Sequence, residues 1–440
     1  MESIMEFPAL FSRGFRKSSN AVRWFAGVSI TSTCQRIESA MIGVHGRGSG
    51  APVEIRKTIS FDVPREIVDI CSELLRMQRQ EQLSPSGNNR SVRIPADLSL
   101  NVARELASIE EEAIQELVSE SKLTVNDVLA TGVYDPGIHI ATPHGIFYRG
   151  LSDASRLAEH TGMNIVDSFP AQDIAVRGNG GPVFPLPAWV FLKSETSPRI
   201  LIDLGRTARV TFLPQAHNAF SHQKIRQIDV IPCGSLLDTL VWQLTSGRTA
   251  IDTSGRFAVQ GCQDPKLLSA LRVALPQKND WSPTGLQPER YLQRADKAAK
   301  EGLPHQDVLC TVSGFIAETI ARQVLTMMKE TGIFEPELLI QGSGQQHGLL
   351  MNSLSSHLQQ RSLLPISQLG IPVDTFDALC TAMLALLAVD CVPGNLPHLT
   401  GGESAKPLGR LTQGSMANWY RLLCAMAETN AVNRSVRSAV

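Results

Sequence analysis

The stretch best equipped for chemistry runs from Asp173 to Pro187, D-I-A-V-R-G-N-G-G-P-V-F-P-L-P. Its carboxylate follows a mostly apolar run, Met163 to Val166, and precedes a loop dense in glycine. An acid beside an irregular loop is a common place for a ligand site. Gly178, Gly180 and Gly181 let backbone approach a ligand closely or take positive φ. Pro182, Pro185 and Pro187 stiffen the exit and bar a helix from starting there. The same residues also suit a surface turn with a solvated aspartate, and the stretch alone does not separate the two readings.

The surrounding chain reads as mixed strands and helices. Val22 to Ile30 is aromatic and β-branched, a buried strand. Met41 to His45 and the alternating Val53 to Val63 continue it as a meander. Pro64 to Gln80 and Leu98 to Lys122 carry apolar residues at helical spacing, with a polar loop over 83–93 between them. Thr124 to Gly132 leads into a strand, and Gly137 to Ile140 with Gly145 to Tyr148 forms a hairpin. Arg199 to Leu213 is a strand pair turning at Gly205 and Arg206, and Asp229 to Leu244 passes from strand to helix. Lys266 to Leu275 is helical, whereas Lys278 to Gly302 is polar and irregular, a flap. Val308 to Lys329 is an amphipathic helix, Glu337 to Ile340 a strand, and Gly342 to Gly344 a turn into the helix Leu349 to Gln360. Phe376 to Val389 is apolar enough to be buried, and Met416 to Thr429 is the last helix.

The chain has 440 residues, too many for one ordinary core, so two domains are expected. The boundaries are an extension without fixed structure over 1–21, a first domain over 22–197, a second over 198–430 and a loose tail over 431–440. A net charge of −1 argues against nucleic acid as a partner. No apolar run reads as long enough to span a bilayer, so no membrane is expected. The eight cysteines lie far apart with no C-x-x-C, which disfavours zinc and suits reduced core thiols in a cytoplasmic protein.

Asp173 to Pro185 resembles the D-I-A-x-G-G-Q-G-A-P-L-x-P segment of the anhydro-N-acetylmuramic acid kinases, which share a superfamily with actin, the hexokinases and the heat-shock ATPases. Further blocks agree in order and spacing from about Ala26 to Leu411. Thr161 to Val166 looks like the family's T-G-I-x-V-V, and Asp229, Pro232 and Asp238 match its D-T-G-P-G-N-x-L-x-D. Asp252, Gly255, Ala258 and Gly261 look like its D-x-x-G-x-x-A-x-x-G. Gly342, Ser343 and Gly344, with His347 in place of Asn, look like its G-G-G-x-x-N adenosine loop. Gly394 to Gly401 is close to the family's ending.

The resemblance implies an α/β fold of two ribonuclease H-like, actin-like ATPase domains with a cleft between them. It implies ATP-dependent phosphorylation of 1,6-anhydro-N-acetylmuramate with ring opening, in cell-wall recycling. Asp173 becomes the catalytic base that activates the attacking water. Thr31, Ser32, Thr33, Gly205, Asp229, Gly342, Ser343 and Gly344 become nucleotide-binding residues. Asp135, Gly178, Asn179 and Gly180 fall on the amino-sugar side, and Glu38 and Asp229 become the Mg²⁺-side acids. A homodimer of the kind common in that family is a further implication.

Departures from the pattern weigh against turnover. The family's first phosphate loop, G-L-M-S-G-T-S-L-D-G-I-D, is here Gly27 to Glu38, G-V-S-I-T-S-T-C-Q-R-I-E. Thr31 and Arg36 replace inner glycines, and a β-carbon forced into the left-handed region costs roughly 1–2 kcal/mol. Gln35 replaces an acid. The second loop, N-I-G-G-I-A-N, is Asp203 to Arg209, D-L-G-R-T-A-R. Its arginines either bind phosphate or pair with Asp203 and Asp229 and fill the cleft. The sugar-side H-G-Q-T is Tyr134 to Gly137, Y-D-P-G. Two functions follow from the sequence: an ATP-dependent sugar kinase, or a catalytically impaired homologue that binds sugar or serves as a scaffold.

Overall fold

A computed structural model describes residues 22–31, 34–82, 96–135, 137–142, 145–217, 221–276, 286 and 288–437. The expected extension over 1–21 and the whole loop over 83–93 lie outside the described residues. The meander is β1 (Arg23–Ile30), β2 (Arg36–Val44) and β3 (Val53–Asp62). Two helices, α1 (Arg65–Gln82) and α2 (Ala96–Ser121), lead to β4 (Val128–Tyr134). The hairpin β5 (Ile138–Thr142) and β6 (Gly145–Arg149) precedes α3 (Ala154–Thr161), β7 (Ile165–Asp167), α4 (Phe169–Ala175) and α5 (Pro185–Leu192).

A second meander follows: β8 (Arg199–Leu204), β9 (Thr207–Leu213) and β10 (Arg226–Pro232). Four helices come next, α6 (Gly234–Leu244), α7 (Pro265–Val273), α8 (Glu289–Lys300) and α9 (His305–Thr331). The chain continues through β11 (Glu337–Gln341), α10 (Gly348–His357) and β12 (Leu363–Pro365). It ends with α11 (Phe376–Val389), α12 (Pro397–Thr400), β13 (Arg410–Thr412) and α13 (Met416–Arg437).

The first sheet has the order β13-β7-β4-β1-β2-β3 and the second β10-β9-β8-β11-β12. In each, three antiparallel strands are followed by two parallel ones laid beside the first of the three. That is the ribonuclease H-like order, present twice in one chain without a repeat in sequence. The chain does not divide cleanly at 198: α11 packs on the first sheet and β13 pairs with β7 at its edge. The expected second domain over 198–430 therefore gives residues back to the first.

Helix α11 sits at the centre because it is apolar all round and must be buried all round. Of its fourteen residues only Asp377 and Ala388 are not fully buried. It shares one core with Phe25 and Ala40 of the first sheet and Leu201 and Leu339 of the second. Gly27 and Gly132, paired across β1 and β4, admit it to the sheet. A β-carbon at Gly27 would lie 2.1 Å from the Ala378 carbonyl oxygen, and one at Gly132 would lie 2.5 Å from that of Thr381.

Three local expectations change. The prolines after Asp173 do not prevent a helix: α5 starts at Pro185. The first helical N–H groups have no intrahelical partner, so proline forfeits nothing there. Within the expected flap, 289–300 is the helix α8, whose buried Tyr291 ring lies 5.7 Å from that of Phe315. Only Tyr291, Leu292 and Ala295 face inward, too few for its periodicity to stand out against a polar stretch. Helix α9 has the length and composition to cross a membrane, but 72% of its apolar window is buried inside the fold, which identifies a core helix.

Gly27→Ala should lower the stability of the chain by about 3 kcal/mol, because the atoms opposing the new methyl are backbone and cannot rotate away. Chemical denaturation midpoints of the two proteins measure this; an unchanged midpoint would mean that α11 is not seated on β1.

Candidate active site

The parallel strands of both sheets end at the N-terminus of α11, and loops beyond such ends are where α/β folds hold ligands. On the second sheet, one cross-strand row carries Asp229, Arg209, Asp203 and Gln341. The Arg209 Nε donates to Asp229 Oδ1 at 3.1 Å, and its Nη1 lies 3.7 Å from Asp203 Oδ2. The Gln341 side chain also bonds Asp203. Asp229 is buried, and no protein donor reaches its Oδ2. Burial raises Asp203 to about 7 against the pull of Arg209. Burial likewise raises Asp229, with Arg209 opposing. Arg209 thus pairs with both acids, through Nε to Asp229 and Nη1 toward Asp203. Arg206 lies toward Asp238, whose carboxyl burial raises to about 6.

The matching row of the first sheet carries Glu38, Ser29 and Tyr134. Glu38 is buried, flanked by Asp377 and reached by the Ala378 N–H at the start of α11. Burial first, and then Asp377, raises its carboxyl to about 9, so it holds a proton at neutral pH. Tyr134 is raised to about 12 by burial and by Asp377, while Arg209 pulls it down. Asp377, hidden in a helix read only as core, thus faces both sheets.

Glu38 thus favours its neutral form, with burial as the main cause and Asp377 the next. Magnesium does not fit here as an ion caged by protein. Among the described residues no group of three or more His, Cys, Asp or Glu is placed to hold one, and a guanidinium already lies between Asp203 and Asp229.

The described ends of the first phosphate loop are tied to each other. The Thr31 hydroxyl donates to the Arg36 carbonyl at 3.2 Å and accepts from its N–H at 3.1 Å. The left-handed position falls on Cys34 at φ 55°, and not on Thr31 or Arg36 as expected. Thr31 thus closes the turn before it can serve a phosphate, while Ser32 and Thr33 lie outside the described residues. The second loop keeps Gly205, whose carbonyl accepts from Gly234 N–H at 3.0 Å. Gly342 (φ 91°) folds its turn onto the end of β8, where a β-carbon would lie 2.6 Å from the Leu204 carbonyl carbon. Gly344 meets Leu204 as well, and Ser343 is exposed between them. His347 accepts from Leu350 N–H at 3.3 Å and so caps α10, the local task of the asparagine it replaces in the resemblance.

Asp173 lies in α4, directly after β7, and is fully buried, so the surface-turn reading fails. Its Oδ2 accepts from Gly180 N–H at 2.9 Å and its Oδ1 from Asn395 Nδ2 at 2.7 Å. A β-carbon at Gly178 would lie 2.1 Å from Oδ2, and one at Gly402 would lie 3.2 Å from Oδ1. The loop is fastened to the chain's end by Asn179 N–H on the Thr400 carbonyl (2.8 Å) and by Arg177 paired with Glu403 (2.9 Å). Farther along it, the Phe184 ring stacks 4.8 Å from Tyr134, tying this loop to the Asp377 and Arg209 group. Asn395 was visible in the Gly394 to Gly401 block, but nothing in the sequence pointed it at Asp173.

Asp135 is a correction. It accepts from Gly137 N–H (2.7 Å), Leu151 N–H (3.0 Å) and Ser152 N–H (3.0 Å). A carboxylate has about four lone-pair sites, and these donors use them to anchor the β5–β6 hairpin. It is a structural clasp, with most of its acceptor capacity spent on backbone N–H groups.

Glu38→Gln should flatten the pH dependence of stability. The folded carboxyl keeps its proton to about pH 9, whereas an ordinary glutamate loses it near 4.5, so the wild-type chain loses stability as pH rises between them. The variant should gain more than about 1.4 kcal/mol at pH 8, one pKa unit's worth. Urea melts at pH 5 and pH 8 decide it; parallel losses in both proteins would disprove a neutral Glu38.

The family model for anhydro-N-acetylmuramic acid kinase matches residues 81–414, which leaves β1 to β3 outside it. The anhydro-N-acetylmuramic acid kinase of Ralstonia nicotianae is 30% identical over 321 residues, 70% of this chain and 81% of its own. That of Coxiella burnetii is 25% identical over 362 residues, 82% of this chain and 94% of its own. A ROK hexokinase from Thermus thermophilus superposes only loosely, with TM-score 0.31 and 13% identity over 83% of this chain and 99% of its own. On the match over 81–414, this chain belongs to the anhydro-N-acetylmuramic acid kinase family.

Proposed function

We propose that the chain uses ATP to phosphorylate 1,6-anhydro-N-acetylmuramate or a close amino sugar, opening the anhydro bridge. The observation that carries this is the setting of Asp173. A buried carboxylate is held by two donors and flanked by glycines at 178, 180 and 402, so that backbone alone borders much of it. In this reading Asp173 takes a proton from the attacking water. Gly180 N–H and Asn395 Nδ2 keep its oxygens aimed, and a shift of the loop over 176–182 admits the sugar. ATP supplies the phosphoryl group, and transfer needs mainly positioning and charge neutralisation. The turns at Gly205 and at Gly342 to Gly344 supply the nucleotide side. Magnesium enters this reading with the nucleotide, bound to its phosphates, and the protein itself holds no ion. The cysteines, all free thiols, suit a reducing compartment such as the cytoplasm.

A second reading has its own support. Thr31 is tied into its turn, and Arg209 is paired with both acids of the second sheet. Both observations favour a homologue that keeps the sugar pocket and has lost transfer.

ADP release dependent on ATP and anhydro-sugar separates the two. Wild type should turn over, and Asp173→Asn should lose at least about 100-fold in kcat, the contribution typical of a positioned base. The variant should also melt lower, because its amide cannot accept from both Gly180 and Asn395. Absence of turnover with any anhydro- or amino-sugar would leave the second reading.

A further inference from the structure

The nucleotide side holds a fixed positive charge where the family's second loop has asparagine. Arg209 lies directly across from Asp229 on β10 and from Asp203 on β8, so both carboxylates flank it in one row. Burial of Asp229 is complete at the side chain, while Arg209 remains 37% exposed. Its Nε and Nη1 therefore meet the acids, while part of the side chain stays open to solvent. Among the described residues, Nε–H is the only Arg209 donor engaged in a hydrogen bond, since Nη1 stands 3.7 Å from Asp203. A guanidinium has five N–H donors. The four on the two Nη atoms form the fork that suits phosphate oxygens.

The position bears on the cation. The Gly342 turn comes within 2.9 Å of Asp203 Oδ1, measured from a β-carbon placed on that glycine, so the row borders both glycine turns assigned to the nucleotide. A divalent ion seeking the oxygens of Asp203 and Asp229 would have to share their space with the guanidinium, and two cations in one site repel.

We propose that Arg209 neutralises the nucleotide's phosphates in place of a divalent cation, so that this chain binds a nucleoside diphosphate without one. The inference rests on the nucleotide reading given above, and goes beyond it by removing the metal requirement for binding.

Calorimetric titration of the full chain with ADP, in excess MgCl2 and separately in EDTA, tests this. Wild type should show Kd values within about threefold of each other, well under the 1.4 kcal/mol that a tenfold change represents. Arg209→Asn should bind about tenfold or more weakly in EDTA, as loss of a charged hydrogen-bonding partner requires, and should recover part of that in Mg²⁺. Arg209→Lys, which keeps the charge without the fork, should fall between them. Wild-type binding that needs Mg²⁺ by tenfold or more, or an Arg209→Asn affinity equal to wild type in EDTA, overturns the proposal and leaves the nucleotide reading standing. No ADP binding in either buffer overturns both. The wild-type comparison needs no variant, so poor folding of Arg209→Asn does not rescue the idea.

Discussion

The architecture depends on how closely one helix approaches one sheet. Glycines at 27 and 132, neighbours on β1 and β4, remove the side chains that would hold α11 off the strands. The helix then lies deep enough to touch the second sheet on its other side through Leu201 and Leu339. Its N-terminus is thereby set where the parallel strands of both sheets end. The residues there, Asp377 and the Ala378 N–H, become common to both halves. The close seat and the position of the site are one constraint.

The meeting point is rich in carboxyl groups and poor in ways to keep them all ionised. Glu38, Asp203, Asp229 and Asp377 all have their protons held more tightly by burial. Arg209 opposes this for Asp203, Asp229 and Asp377, and no such cation dominates at Glu38. The quasi-equivalent strands β2 and β9 thus present a neutral acid on one side and a fixed cation on the other. A buried ion pair of this kind contributes little net stability after desolvation.

Asp173 follows a different logic. Its partners are a backbone N–H and an amide from the far end of the chain, and glycines border it. The tie between Asn179 and Thr400 and that between Arg177 and Glu403 make the loop's position depend on residues more than 200 positions away. Phe184 on Tyr134 joins this pocket to the charged row. The two halves of the site are therefore joined through the stretch that follows Asp173.

Much was legible from residue types alone. The apolar run from Phe376 to Val389 had to be buried, the first strand meander and the strand pair over 199–213 showed in their β-branched residues, and the glycine loop after Asp173 marked the family. Local pattern failed where the deciding contact was distant. Helix α8 needed Phe315 to give its three apolar residues a partner, and α5 needed only the freedom of a helix start to accept proline. Asp135 looked free, because its donors at Leu151 and Ser152 come from beyond a hairpin. Asn395 and Asp377 carried no local sign of their roles, since one acts across 222 positions and the other across two sheets. Sequence determined which residues were apolar, flexible or charged. Tertiary structure decided which charges face one another, because a carboxylate's state depends on burial and on neighbours that only folding brings within a few ångströms.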